Sequence, residues 1–160
     1  MSTDEKHRSG WLPPRWFIRA AWWLHRRLYA AGGTRFLRRP RPDRAGMLRL
    51  TTVGRRTGQE RSVILSYIPD GSTYVTLAMN GWADPAPAWW LNLKARPDAL
   101  AETVDGPRQV RAREATGPER ERLWAMLAEA DDGWGDLDDF AARRSHQTPV
   151  VVLEVTGPAS

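Results

Sequence analysis

Hydrophobic and polar positions change period several times along the chain, and each change marks an element. From Pro13 and Pro14 to the stop at Gly32 and Gly33, apolar Phe17, Ala20, Ala21, Leu24 and Leu28 recur at helical spacing, with Arg15, Arg19, Arg26 and Trp22 opposite. This predicts one basic amphipathic helix. Thr34 to Gly46, rich in Arg and Pro, reads as a loop or linker. Apolar runs then predict strands at Met47–Val53, Arg61–Ile68 and Thr73–Met79, the last two joined by a Pro69-Asp70-Gly71-Ser72 turn. Pro87 starts and Pro97 closes a helix, PAWWLNLKARP. Ala99–Val104 and Arg108–Arg113 form another hairpin around Asp105-Gly106-Pro107. Thr116 and Glu119 make a T-x-x-E capping box before a helix, Arg120–Ala130, whose buried stripe is Leu123, Met126 and Leu127. A short helix, Leu137–Arg144, and a buried strand, Thr148–Val155, end the chain.

Strands linked by short hairpins, without alternating parallel units, favour a small α+β barrel over a Rossmann fold, and G-x-G-x-x-G is missing. A chain of 160 residues fits one core with a decorated N-terminus, divided here into an arm of residues 1–45 and a barrel of residues 46–160.

Net charge is +5, and the excess is local: residues 1–45 hold Lys6 and ten arginines against Asp4, Glu5 and Asp43. Such an arm points to an anionic partner, and its tryptophans Trp16, Trp22 and Trp23 suit lipid headgroups. Packing on the domain with arginine in water is the plainer reading of the same helix, and nucleic acid is not an expected partner. Absent cysteine excludes disulfides and thiolate chemistry and suits a reducing cytoplasm. No apolar run approaches the roughly 20 residues of a membrane span, and residues 1–10 lack the apolar core of a secretory signal. A soluble or peripheral cytoplasmic protein is expected.

The inventory of reactive side chains is short. His7, His25 and His146 are scattered without ligand spacing, so no metal site is expected, and no G-x-S-x-G elbow occurs. The acidic run Asp131, Asp132, Asp136, Asp138, Asp139 lacks calcium-loop spacing and suits a solvated helix start. If the protein is an enzyme, a cofactor brings the reactivity. The stretch LTTVGRRTGQER, Leu50–Arg61, is then central. Gly54 and Gly58 let amides approach an anion while Arg55, Arg56 and Arg61, with Thr57, grip it; a solvated hairpin tip is the alternative. The helix started by Pro87 aims free amides outward, with Ala88, Trp89 and Asn92 lining its end, where a planar anionic or carbonyl-bearing ring fits. The plainer reading makes Trp89 and Trp90 core or surface aromatics, and for Trp90 it is the preferred one.

The TTxGRRTGQ and PAWWLNL motifs, in that order with a YV strand between them, resemble the deazaflavin-dependent nitroreductase family, split-barrel oxidoreductases that use coenzyme F-420. The likeness runs from about Met47 to Val155. It implies a six-stranded split β-barrel, commonly a homodimer, with the phosphate and oligoglutamate tail on Arg55, Arg56, Thr57 and Arg61. It also implies that the ring is wrapped by Ser62, Val63, Ile64, Leu65 and Ser66, by Leu77, Ala78, Met79 and Asn80, and by Ala88, Trp89, Trp90, Leu91 and Asn92. The implied reaction is hydride transfer to a small acceptor such as a quinone, an enone or a nitro compound, with no catalytic side chain demanded. Members with nitroreductase activity carry serine and lysine where Met79 and Asn80 stand, and tyrosine where Ser66 stands. Their tyrosine-rich lid is replaced by DDGWGDLDDF, leaving Trp134 and Phe140, with Ser66, as the acceptor contacts. Trp134 either caps that pocket or pins a loop. Two rivals remain: the same barrel holding FMN or haem, and a non-enzymatic lipid-binding or membrane-surface protein.

Overall fold

The computed structural model describes residues 33–80, 85–130 and 137–158. The predicted N-terminal helix and Trp134 lie outside the described residues. Two-residue alternation builds β1 (Gly46–Val53), whose Leu48, Leu50 and Thr52 turn inward while their neighbours stay half-exposed. β2 (Glu60–Asp70) pairs antiparallel with it from Gly46↔Tyr67 to Val53↔Glu60, then passes to β3 (Thr73–Leu77) across Gly71, whose φ of 59° suits the tight turn. β4 (Asp98–Thr103) and β5 (Gly106–Glu114) form the second hairpin, and β6 (Val150–Pro158) lies between β5 and β3. Pairing of β4 with β1, Arg49↔Glu102 to Thr51↔Leu100, closes an antiparallel barrel in the order β1-β2-β3-β6-β5-β4. This is the six-stranded barrel expected of the sequence.

Two apolar layers follow from the alternation. Inside the barrel, Leu48, Leu50, Ala101, Val110, Val151 and Leu153 meet Trp89, Trp90 and Leu93 of α1 (Ala88–Ala95). On the outer face, Val75, Leu77, Val150 and Val152 meet Leu123 and Leu127 of α2 (Gly117–Glu129) and Leu137 of α3 (Leu137–Ala142). β6 is therefore apolar at four successive positions because both of its faces are covered.

Several boundaries move. β2 extends through Pro69 and Asp70, and β6 starts at Val150 and runs to Pro158. α2 starts at Gly117, and Thr116 is its N-cap without a side-chain bond, so the capping box does not form. Glu119 instead takes two bonds from Arg113, at 2.5 and 2.9 Å. A charge-assisted pair outcompetes a neutral backbone donor at this exposed position. The stretch read as loop or linker is tied down: it holds a 3-10 turn (Gly33–Phe36), bridges Arg38↔Met47 and Arg41↔Arg44, and two bonds from Arg38 to the Ala45 carbonyl.

Candidate functional site

β1 and β2 stay in register to Val53↔Glu60, so residues 54–59 form the whole connection. Gly54 N–H donates to the Gln59 carbonyl and Gly58 N–H to the Gly54 carbonyl, each at 2.8 Å, with Gly58 at φ 69°. A Cβ on Gly54 would stand 2.9 Å from Thr57 Oγ1, so the turn requires glycine there for space. Gln59 N–H donates to Thr57 Oγ1 at 3.3 Å, and Arg55 N–H donates to Asn92 Oδ1 at 3.1 Å. The N–H groups of Arg56 and Thr57 have no acceptor among the described residues. Two such amides beside a threonine hydroxyl are groups that suit an external anion.

The guanidiniums match this. Arg55, Arg56 and Arg61 are exposed, and among the described residues none is ion-paired with a carboxylate. Arg39, Arg49, Arg111, Arg113 and Arg122 each have such a partner. Arg61 Nη2 reaches Gln59 Oε1 at 3.2 Å, and Arg55 Nη1 lies 3.4 Å from Asn92 Oδ1. Positive side chains without counter-charges, grouped with free amides, suit phosphate or carboxylate.

β2 runs on from this turn with one edge unpaired among the described residues. Its ladder to β3 covers only Ile68–Asp70, and Thr76 Oγ1 donates to the Ser66 carbonyl at 2.7 Å. Since Ser66 points its carbonyl away from β1, alternation turns the backbone polar groups of Ser62 and Ile64 the same way. Residues 60–65 and the end of β3 therefore bound a split in the barrel wall. Val63 and Leu65 pack inward against the core, Ile64 is half-buried, Ser62 Oγ lies 2.8 Å from Thr51 Oγ1, and Ser66 Oγ donates to Met47 Sδ.

At the far side Leu77 and Ala78 are buried, Met79 packs on the outer cluster and Asn80 is exposed. On α1, Ala88 is exposed and Leu91 half-buried, while Trp89 and Trp90 are buried with ring centroids 6.4 Å apart, edge to face, and Lys94 Nζ stands 5.9 Å from the Trp90 ring. The tryptophans serve the inner core. Asn92 is 4% exposed and donates from Nδ2 to Thr52 Oγ1 at 3.2 Å, which ties the two sequence motifs together. Thr52 and Thr76 escaped the sequence reading; the available signal was a hydroxyl at inward-facing strand positions. Phe140 lies in α3, and its side chain is outside what is described.

Residues 17–155 match the family model described as F420H(2)-dependent quinone reductase. The chain belongs to the F420H(2)-dependent quinone reductase family. It is 34% identical over 116 residues to the F420H(2)-dependent quinone reductase Rv1261c of Mycobacterium tuberculosis, covering 70% of this chain and 75% of that protein. A solved structure of an F420-H2 dependent reductase, FDR-A, superposes with a TM-score of 0.60 at 27% identity, covering 71% of this chain and 95% of that one. Another, described as a domain-swapped dimer, superposes with a TM-score of 0.64 at 26% identity, covering 89% and 100%. Membership in the quinone reductase family makes the protein an F-420-dependent oxidoreductase and selects coenzyme F-420 over the FMN and haem that a barrel alone left open. The donor set fits: a tail of phosphate and carboxylates needs net cationic surroundings, which the 54–61 turn supplies with three arginines against Glu60.

Proposed function

We propose that this protein reduces a quinone with reduced coenzyme F-420, and that the turn of Arg55, Arg56, Thr57 and Arg61 holds the anionic tail. The observation that carries the proposal is three arginines without a carboxylate partner, beside two amides without an acceptor, among the described residues. When bound, the coenzyme supplies the hydride. The chain's own part is placement: the edge of β2 at Ser62 and Ile64 would hold the flat ring, with Val63 and Leu65 packed into the barrel core and α1 sealing the interior. Holding donor and acceptor together supplies the rate without a protein acid or base.

A quinone is preferred to a nitro compound or an enone, because Met79 and Asn80 bring neither the hydroxyl nor the positive charge of nitroreductase members. Ser66, Trp134 and Phe140 are the proposed acceptor contacts. Residues 1–45 form the proposed basic arm, which would hold the barrel of residues 46–160 against the cytoplasmic, anionic face of a membrane where quinones dissolve. A homodimer is proposed on the likeness to the domain-swapped structure.

The test is anaerobic turnover: the purified full chain should reoxidise reduced F-420 when a quinone is added and fail to do so with a nitroaromatic. Saturable coenzyme binding without quinone-dependent reoxidation would remove the acceptor assignment.

A further inference from the structure

We propose that Asn92 is the positioning residue of the arginine turn, set by Thr52, and that it aims Arg55 at the coenzyme's anionic tail. This rests on the reading of that turn as the tail site.

Asn92 sits in the second turn of α1 with its amide buried. Its Oδ1 faces two donors of one residue, the Arg55 main-chain N–H at 3.1 Å and Arg55 Nη1 at 3.4 Å. Its Nδ2 faces one acceptor, Thr52 Oγ1, at 3.2 Å. Rotating the amide by half a turn would set an NH2 group against two N–H donors, so the three contacts define one orientation. Thr52 is 1% exposed, so its influence on the turn passes through Asn92.

Arg55 is therefore fixed at both ends, backbone and guanidinium, with most of its five N–H groups still available. A long side chain ordered in advance spares an incoming anion the rotamer entropy of ordering it. Arg61 is steadied only by Gln59, on the same loop, and Arg56 has no such contact among the described residues. The helix that fills the barrel thus controls which arginine is preset.

The experiment measures coenzyme F-420 binding to the full chain by fluorescence at several salt concentrations, beside urea midpoints. Thr52→Val keeps the shape and removes the acceptor; affinity should fall roughly fivefold or more, the lower end of the cost of leaving the buried Asn92 donor unsatisfied. Thr52→Ser should bind within about twofold of wild type, as additivity errors allow. Asn92→Asp keeps the oxygen that accepts from Arg55 but removes the donor to Thr52 and offsets the Arg55 charge, so binding should weaken and its salt dependence flatten. In an Arg55→Ala background, Thr52→Val should add little, because coupled positions are not additive. Wild-type affinity in both Thr52→Val and Asn92→Asp, with Arg55→Ala weakened, would refute the positioning role and leave the tail site standing. Wild-type affinity in Arg55→Ala would refute both.

Discussion

Thr76 Oγ1 donates to the Ser66 carbonyl at 2.7 Å, and β2 runs from there toward the arginine turn without pairing to β3. Thr76 is 2% exposed, so one buried hydroxyl marks where the barrel wall begins to open. Thr76→Val keeps the side chain's shape and leaves the carbonyl unpaired. A loss of about 1–2 kcal/mol is expected from urea unfolding, with faster amide exchange along residues 60–66 than in β6. Unchanged exchange there would mean that the bond does not hold the split.

Gly58 combines φ 69° with open space around the position of a Cβ. Gly58→Ala therefore costs about 1 kcal/mol through the backbone alone, with no clash to relieve. Coenzyme affinity should fall with it, since the Gly58 N–H closes the turn on the Gly54 carbonyl. Equal stability of the variant would contradict the left-handed requirement.

Asp70 receives both Nη groups of Arg122, at 3.1 and 2.9 Å, and these bonds hold its carboxyl below the usual range. A depressed folded value gives stability that is present above the unfolded value of about 4 and is lost as pH falls through the folded one. The pair is partly exposed, so it contributes below about 1 kcal/mol. Asp70→Asn should flatten the acid limb of a stability–pH curve by that amount and leave the neutral region's shape unchanged. A steeper acid limb would contradict the pair.

Burial pushes the Tyr67 hydroxyl up to about 12. A folded value raised above the unfolded one, about 10, gives stability that is intact below that pH and is lost as pH rises toward about 12. Tyr67→Phe, with the ring still 5.2 Å from Tyr74, should remove part of the alkaline loss seen by circular dichroism. An identical alkaline limb would count against a buried phenol.

Much of this molecule was legible in its sequence. Leu48, Leu50 and Thr52 alternate with half-exposed neighbours, and Val150 to Leu153 form an unbroken apolar run, so barrel strands and a doubly covered one could be read directly. The β1–β2 turn was legible because Gly54 ends one apolar run and Gly58 precedes the next. The wiring was not. A threonine in a strand has the same sequence signature whether its hydroxyl is spent inside or outside, and Thr52 meets Asn92 across 40 residues of chain. Glu119 matched a cap motif, yet Arg113, a stronger partner, came from the preceding strand. The bonds from Asn92 to Arg55 and Thr52 have no signature in the spacing of PAWWLNL.

The central claim is that cationic groups at the β1–β2 turn hold the acidic tail of the redox coenzyme. Its most direct measurement is a titration of the full chain and its Arg55→Ala/Arg56→Ala variant with coenzyme F-420, followed by fluorescence at low and moderate salt. The wild type should bind with an affinity that falls as salt rises. The variant should bind at least about tenfold more weakly, as loss of two charge-assisted contacts requires, with little salt dependence and an unchanged urea midpoint. Equal affinity and equal salt dependence in the two proteins would contradict the account.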